Sequence, residues 1–325
     1  MRLLRYFAEQ LRAAFLILAA IVGVSGQAHA VCSRAPTVSV SVQPTLPSYN
    51  PFMVASNVTS VISITNNGNA ACGFSLSFSP NSIPAHLASG ASTLTYTIVG
   101  SGVQLEYVWA GAGTPPTAAQ RVNFLNVAKG ATVTQTVVTS VATGQVVASG
   151  TYTDTFVTAD VWDNTANVLT FWSNNTFNIS ETVLAVCSLP APTIASMDFS
   201  SAITLGLPNA ASIQTSAINN AQCTSPTKVR LTGTSMQTSP LGTARPNFDN
   251  FIDWTATATF GLATASVTTT GLTAAPAVNS AIKNTATAGA TSGNLSITNV
   301  HLVASQHLLA GAYSGVLTIQ IDPSF

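Results

Sequence analysis

The sequence contains one pattern twice, and this repeat constrains the fold more than any other feature. Each copy begins at a cysteine that is followed within a few residues by Ala-Pro-Thr, at Cys32 and at Cys187. Each copy then reaches a second cysteine, Cys72 or Cys223, through a strand-like run and an Asn-Asn turn. A repeat of this length indicates two domains of one architecture. We place them at residues 31–186 and 187–325.

Alternation of apolar and hydroxyl side chains dominates both copies, as in residues 38–42 and 151–158. This period of two is typical of β-strands, and long helical patterns are absent. Late in each copy, a glycine is followed two residues later by a tyrosine, Tyr152 or Tyr313. Such a tyrosine resembles the corner tyrosine with which β-sandwiches pin a loop. The sequence therefore predicts an all-β fold of two immunoglobulin-like sandwiches in tandem.

The first 30 residues have the organisation of a secretory signal. Three arginines precede an apolar run at 13–24, and Ala28-His29-Ala30 forms a small-x-small cleavage site. We expect cleavage after Ala30 and export of the rest of the chain. The chain has ten basic and ten acidic residues, and three basic residues and one acidic residue lie in this segment. The mature chain therefore has seven basic and nine acidic residues. A slightly acidic chain of this kind lacks the basic clusters that nucleic-acid binding requires.

Four cysteines remain after export, and they should be oxidised outside the cytoplasm. Four cysteines allow three pairings, and the spacing suggests Cys32–Cys72 and Cys187–Cys223, two loops of similar size. A zinc site is the competing interpretation, but no close Cys or His pair supplies the usual ligand spacing. The sequence predicts no metal site.

The final strand of the first domain is expected at residues 177–186. Phe177, Ile179, Val183 and Ala185 would point to one side of it. The first copy has about 25 residues between its tyrosine strand and Cys187, whereas the second copy ends soon after its tyrosine strand. We therefore expect the second domain to lack its last strand. A sandwich of that kind exposes unpaired backbone and a core groove, and needs an extended segment from another chain.

The order and spacing of the cysteine and Asn-Asn motifs, the strand at 254–261 and the Gly-x-Tyr ending resemble the spore coat protein U domain. This domain is the pilin module of archaic (Csu-type) chaperone–usher pili. The resemblance implies pilin-type sandwiches and three partners: a periplasmic chaperone, an outer-membrane usher and an adjacent subunit that donates a strand. Shaft pilins of the family carry a donor extension before their first cysteine. Here the expected mature chain begins immediately before Cys32, as a tip subunit would.

A tip adhesin in this family implies a location at the cell surface, attachment to an apolar or host surface, and biofilm formation. Such contacts would be made by apolar residues in turn-rich segments at the free pole of the first domain. The candidates for surface contact are Trp109, Pro115, Pro116, Val168, Leu169, Phe171 and Trp172. Core packing remains open for the three aromatic residues of this set, and Trp162 is expected to lie in the core.

Two other functions remain open. The chain could be a secreted coat or matrix protein built from the same modules, or a lectin-like sugar binder. Catalysis is not expected, because His86, His301 and His307 stand alone and no nucleophile motif is present. Alternation places Asp154 and Asp160 on one face of a strand, too far apart to share an ion. The sequence predicts neither an enzyme nor a cofactor.

Overall fold

The computed structural model describes residues 32–41, 44–108, 114–165, 168–238, 246–270, 277–279, 290–303 and 306–323. The signal segment lies outside these ranges. The described chain is built of β-strands, with two single-turn 3-10 helices at Ala118–Gln120 and Ser200–Ala202. Neither helix has the length and apolar character needed to cross a membrane. The predicted all-β class is confirmed.

Eleven of the described strands form the first sandwich. They are β1 (Thr37–Val40), β2 (Ser56–Thr65), β3 (Cys72–Ser79), β4 (His86–Ser89), β5 (Ser92–Thr95), β6 (Thr97–Gly100), β7 (Val103–Gln104), β8 (Val122–Val127), β9 (Thr132–Val141), β10 (Gly150–Asp163) and β11 (Thr170–Val183). One sheet has the order β1-β2-β9-β6-β7. The other has the order β5-β4-β10-β3-β8, and β11 also pairs with β10.

The first core lies between these two sheets. β3 supplies Phe74, Leu76 and Phe78 at every second position, and all three are fully buried. β2 faces them with Ile62 and Ile64, which are also fully buried. A period of two places such residues on one face of each strand, so the apolar faces of both sheets meet.

Fourteen described strands follow in the second sandwich. They are β12 (Cys187–Ser188), β13 (Ile203–Thr204), β14 (Leu207–Pro208), β15 (Gln214–Cys223), β16 (Thr227–Gly233), β17 (Met236–Thr238), β18 (Phe248–Asp249), β19 (Phe251–Phe260), β20 (Ala263–Thr268), β21 (Ala277–Asn279), β22 (Thr291–Val303), β23 (His307–Leu308), β24 (Tyr313–Ser314) and β25 (Leu317–Pro323). The main sheet has the order β12-β15-β22-β19-β17-β24, with β20 beside β19. A three-stranded sheet, β21-β16-β25, provides the opposite layer, and β13-β14 and β18-β23 are small pairs.

The second core is separate from the first. β19 contributes Trp254, Ala256, Ala258 and Phe260, which alternate with more exposed residues and are all buried. The buried residues of the first core end at Val183, and no described residue belongs to both cores. Each half of the chain therefore has the hydrophobic core that an independent sandwich requires.

The corner tyrosines occupy matching positions in the two sandwiches. The Tyr152 hydroxyl donates to the backbone oxygen of Ala148 at 2.7 Å. The Tyr313 hydroxyl donates to the backbone oxygen of Leu309 at 2.9 Å. In both cases the acceptor lies four residues before the tyrosine. This agreement identifies β10 as the counterpart of the β24–β25 region.

Cysteine pairing follows the repeat. Cys32 is bonded to Cys72 with a Cα–Cα distance of 5.8 Å, and Cys187 to Cys223 with 4.1 Å. The first bond joins Cys32 to the first residue of β3. The second joins the first residue of β12 to the last residue of β15. This is the pairing that the cysteine spacing suggests.

The two Asn-Asn pairs differ, which corrects one detail of the repeat. Asn66 follows β2 in a turn, and its side-chain oxygen accepts a hydrogen bond from the backbone N–H of Gly68 at 2.8 Å. Asn220 instead lies inside β15, where the pairing with β22 shifts register and its φ is 57°. The second pair therefore forms a β-bulge, which local sequence does not distinguish from a turn.

Candidate functional site

β11 closes the first sandwich by pairing along both of its edges. It runs antiparallel to β10, from Gly150 opposite Val183 to Asp163 opposite Thr170. Its other edge meets residues 44–49 in parallel. There, the Leu46 N–H donates to the Ser180 oxygen at 2.9 Å, and the Tyr49 N–H to the Thr182 oxygen at 2.8 Å. The strand thus fills the gap between β10 and residues 44–49.

The inner face of β11 completes the first core. Phe177, Ile179 and Val183 are buried, and the Phe177 ring packs edge-on against Phe78 at 5.9 Å. The prediction placed these three residues on the inner face. It is wrong for Ala185, which lies beyond the end of β11 and is half-buried. The strand also begins at Thr170, earlier than the predicted residue 177.

Sequence reasoning missed one inner-face residue, Glu181. Its side chain is 1% exposed and lies between Ile179 and Val183 on the core side of β11. Its Oε1 accepts a hydrogen bond from the Thr182 N–H at 2.9 Å, and its Oε2 has no hydrogen-bond partner among the described residues. Burial raises the pKa of this carboxyl. The period of two was a sufficient signal, since 179, 181 and 183 share one parity.

The second sandwich has no described counterpart of β11. β25 pairs along one edge with β16, just as β10 pairs with β3, and no described strand pairs with its other edge. Between that edge and residues 192–199 lies a groove with a volume of about 440 Å³. The groove is lined by Pro192, Ile194, Ala195, Ser196, Met197, Phe199, Ile218, Met236, Trp254, Ile297, Val300, Tyr313, Ser314, Gly315, Leu317 and Ile319.

Apolar side chains form the floor of this groove, and its walls contain apolar residues together with Ser196 and Ser314. Trp254, Ile297 and Val300 belong to the second core and form its floor. Leu317 and Ile319 of β25 are only half-buried. No charged side chain is among its lining residues. An unpaired strand edge beside a row of incompletely buried apolar side chains is the geometry that accepts an added strand.

In the first sandwich, the corresponding row of apolar residues lies on β10 and is covered by β11. Val157, Ala159 and Val161 of β10 are fully buried beneath the two sheets and β11. Ile194, on the opposite wall of the groove in the second sandwich, is 47% exposed. The apolar residues of β10 beside β11 are therefore covered, whereas Leu317 and Ile319 of β25 beside the groove are only half-buried.

The residues predicted to contact a surface fall into different environments. Val168 is 68% exposed in the β10–β11 turn, Leu169 beside it is half-buried, and Pro115 is exposed. Pro116 is buried, so its inclusion as a contact residue is wrong. Trp109 lies outside the described residues.

Phe171 and Trp172 are strand residues, which corrects the expectation that the contact candidates lie in turn-rich segments. β10 continues to Asp163 and β11 starts at Thr170, so the turn between them is short. The Phe171 ring packs against Trp162 at 5.5 Å, and Trp172 packs against Phe74 at 6.1 Å. Both aromatic side chains are half-buried by these contacts.

A bulge in β10 also corrects the placement of two aspartates. The register of β10 shifts between Asp154 and Val157, so Asp154 points into the core while Asp160 lies on the outer face of the sheet. Asp160 is nevertheless buried, because Tyr107 covers it. Its Oδ2 accepts hydrogen bonds from the Ser79 hydroxyl at 2.5 Å and the Tyr107 hydroxyl at 2.8 Å. Tyr107 therefore packs over the outer face of the sheet.

The histidines and acids of the described chain do not converge on one point. The Nδ1 of His86 lies 2.7 Å from the Ser82 hydroxyl, and His301 lies beside the Thr255 hydroxyl at 3.0 Å. His307 packs against Phe248. Within the described ranges, no three His, Cys, Asp or Glu side chains are close enough together to hold a metal ion. The groove is thus the candidate site.

Comparison with known proteins gave structural similarities only. No protein-family model and no curated protein sequence matches the chain. A chain of the CsuC–CsuE chaperone–tip adhesion subunit complex of archaic Csu pili from Acinetobacter baumannii is similar, with 14% identity and a TM-score of 0.42. The match covers 88% of this chain and 100% of that one.

Two further solved structures are similar over comparable lengths. The CupB6 tip adhesin from Pseudomonas aeruginosa has 10% identity and a TM-score of 0.30, covering 89% of this chain and 95% of that one. A chaperone–tip adhesin complex of CFA/I fimbriae has 13% identity and a TM-score of 0.32, covering 87% and 95%. Similarity of this extent leaves the function to be argued from the groove itself.

Proposed function

We propose that the chain is a subunit of a chaperone–usher pilus, joined to its neighbour by a strand that the neighbour inserts into the second sandwich. The observation that carries this proposal is the apolar groove beside β25, in the position that β11 occupies in the first sandwich. One chain thus contains a completed sandwich and an open sandwich of the same kind. The resemblance to the spore coat protein U domain supports the same assignment.

The stability that an inserted strand would add to the second sandwich explains why this sandwich needs partners. β11 buries three apolar side chains, and an equivalent strand in the groove would bury a similar number. At roughly 1.5–3 kcal/mol for each side chain, the inserted strand contributes about 5–9 kcal/mol before its backbone hydrogen bonds are considered. A whole domain is stable by only about 5–15 kcal/mol. The second sandwich would therefore need a periplasmic chaperone before an usher passes it to the adjacent subunit.

The closed state of the first sandwich supports a terminal position in the fibre. Its gap is already filled by β11, so this sandwich accepts no strand from a neighbour. We place it at the outer end of the pilus, at the cell surface, where it would attach to apolar or host surfaces and promote biofilm formation. The surface contact would involve Val168, Leu169 and Pro115, together with Trp109.

Half-buried aromatic residues would support that contact from below. Phe171 and Trp172 hold the start of β11 against Trp162 and Phe74. They thereby fix the β10–β11 turn that presents Val168. In this proposal the chain is a binding and structural protein, not an enzyme, and it uses no cofactor.

Export with and without a coexpressed pilus chaperone tests the proposal. We expect the unaided chain to aggregate or be degraded in the periplasm, because the groove leaves the second sandwich incomplete. With the chaperone, a soluble one-to-one complex should be recovered, with a chaperone strand in the groove. An unaided chain that is monomeric and cooperatively folded in both sandwiches would overturn the proposal.

A further inference from the structure

An open pocket with a volume of about 450 Å³ lies on the outer face of the first sandwich. Three neighbouring strands form its floor: β3 supplies Ser79, β10 supplies Thr158 and Asp160, and β11 supplies Asn174. Thr158 pairs with Ser79, and Asp160 pairs with Asn174, so all four residues share this face. We call this site the outer-face pocket. It shares no residue with the groove of the second sandwich or with the surface-contact candidates.

The floor of the outer-face pocket contains a buried carboxylate with an unused acceptor. The Asp160 side chain is fully buried, and its Oδ2 accepts hydrogen bonds from the Ser79 hydroxyl at 2.5 Å and the Tyr107 hydroxyl at 2.8 Å. Its Oδ1 has no hydrogen-bond partner among the described residues. A buried acceptor in this state costs about 1–3 kcal/mol, and more when it is charged. No basic side chain is among the described residues that line the pocket. Asp160 therefore lacks a donor that a ligand in the pocket could supply.

Two exposed amides line the pocket together with this carboxylate. Asn174 lies opposite Asp160 on β11, and Asn81 follows the end of β3. The Asn81 Nδ2 donates to the Asp154 Oδ1 at 2.9 Å, which fixes the position of that amide. A hydroxyl group both donates and accepts, as an amide does, whereas an ammonium group only donates. Hydroxyl groups on a ligand therefore match this lining better than an amine, and an anion would be repelled by Asp160.

Three exposed apolar side chains also line the outer-face pocket. The register of β10 against β11 shifts between Asp154 and Val157, and Phe156 lies in this bulge with 65% of its surface exposed. Val108 and Ile83 are 58% and 47% exposed. Bulges often re-aim a side chain beside a binding site. The ring of Phe156 therefore offers an apolar face beside the polar floor, against which C–H groups of a ligand can pack.

We propose that the outer-face pocket binds a neutral sugar residue. A pyranose has hydroxyl groups around its edge and C–H groups on its faces, so one molecule meets both the polar and the apolar requirement. A hydroxyl donates to the Asp160 Oδ1, neighbouring hydroxyls bond to the Asn174 and Asn81 amides, and the C–H face packs on Phe156. The pocket has the size of a small-ligand site, for which about 300–1,000 Å³ is usual.

This inference goes beyond the strand-accepting function and does not depend on it, because the pocket belongs entirely to the first sandwich. It gives that sandwich a class of ligand, and a place for it that is separate from the β10–β11 turn. A sugar of this kind could come from host glycans or from bacterial polysaccharides, which share the same chemistry.

Sugar binding by the full mature chain tests the inference. The chain is purified alone or, if it aggregates, with a coexpressed chaperone. The probes are the methyl glycosides of glucose, galactose, mannose and N-acetylglucosamine, with cadaverine as an amine probe, and binding is measured by saturation-transfer NMR. We expect at least one glycoside to bind better than cadaverine. Arrayed mammalian glycans and bacterial polysaccharides then distinguish the two sources, and binding to either supports the site.

Variants of exposed residues locate the bound sugar. Phe156→Ala and Asn174→Ala should each weaken binding by about fivefold, through loss of the ring contact and of a hydrogen bond. The matched controls are Leu125→Ala, at an exposed apolar residue of β8, and Asn178→Ala, at an exposed residue of β11; both should bind as the natural chain does. Asp160→Asn should weaken binding by about tenfold, because the charged acceptor is lost.

Four results would overturn the inference. They are the absence of glycoside binding by the folded chain, binding that Phe156→Ala and Asn174→Ala leave unchanged, an equal loss in the two control variants, and preferential binding of cadaverine. Because Asp160→Asn also alters the hydrogen bonds of Ser79 and Tyr107, the variants of exposed residues decide the outcome if it fails to fold. None of these results bears on the groove beside β25, so the strand-accepting function stands or falls separately.

Discussion

Truncation of one inner-face residue of β11 provides a quantitative test of how the first sandwich is closed. Ile179 is fully buried between the two sheets. Ile179→Ala removes its transfer free energy and leaves a cavity, a change that typically costs about 2–5 kcal/mol. Because β11 is held along both edges, the cavity should collapse little, and we expect a loss of about 3 kcal/mol in the free energy of unfolding.

The matched control is Asn178→Ala, on the exposed outer face of the same strand. A surface substitution of this kind should change stability by no more than about 0.5 kcal/mol. Urea unfolding is followed by hydrogen exchange, which reports β10 and β25 separately. Ile179→Ala should destabilise β10 and leave β25 unchanged. A loss below about 1 kcal/mol, or an equal effect on β25, would refute the assignment of β11 to the first sandwich alone.

Three further predictions follow from the geometry. Burial raises the pKa of Glu106, Asp160 and Glu181. The folded state therefore retains protons that the unfolded state releases, so the urea midpoint of the first sandwich should decrease as the pH is raised above about 4, where these carboxyls ionise in the unfolded chain. A midpoint that rises with pH would contradict this sign, and Glu181→Gln should reduce the fall. Val168→Ser should lower attachment of piliated cells to polystyrene without changing pilus number, and equal attachment would remove Val168 from the contact site. Tyr152→Phe should cost about 1 kcal/mol in urea unfolding by loss of the corner hydrogen bond, and an unchanged midpoint would show that this bond contributes little.

The features that sequence reasoning predicted are those encoded in local spacing. Alternation indicated the strands, and the Gly-x-Tyr motif indicated the corner hydroxyls of Tyr152 and Tyr313. The closing strand of the first sandwich was also recognised, because Phe177 and Ile179 alternate with polar residues. These features depend on the period of two, which the backbone of a strand imposes directly.

The features that sequence reasoning missed depend on departures from the two-residue period of a strand or on contacts between distant segments. The bulge after Asp154 changes which residues of β10 point into the core, and no local residue pattern indicates it. Trp162 is buried as expected, but its contact with Phe171 on the outer face of a sheet could be predicted only if the length of the β10–β11 turn were known. Pro116 was taken as exposed because it lies in a turn-rich segment, but it is buried.

The most direct test of the central claim supplies the missing strand within one chain. A flexible linker and a strand with four inward leucines are appended after Phe325, and the control carries aspartate at the same four positions. The free energy of unfolding of the second sandwich is measured in urea through hydrogen exchange of β25. The strand-accepting groove predicts a gain of about 5–9 kcal/mol for the leucine strand and none for the control. Equal stability of the two proteins would contradict it.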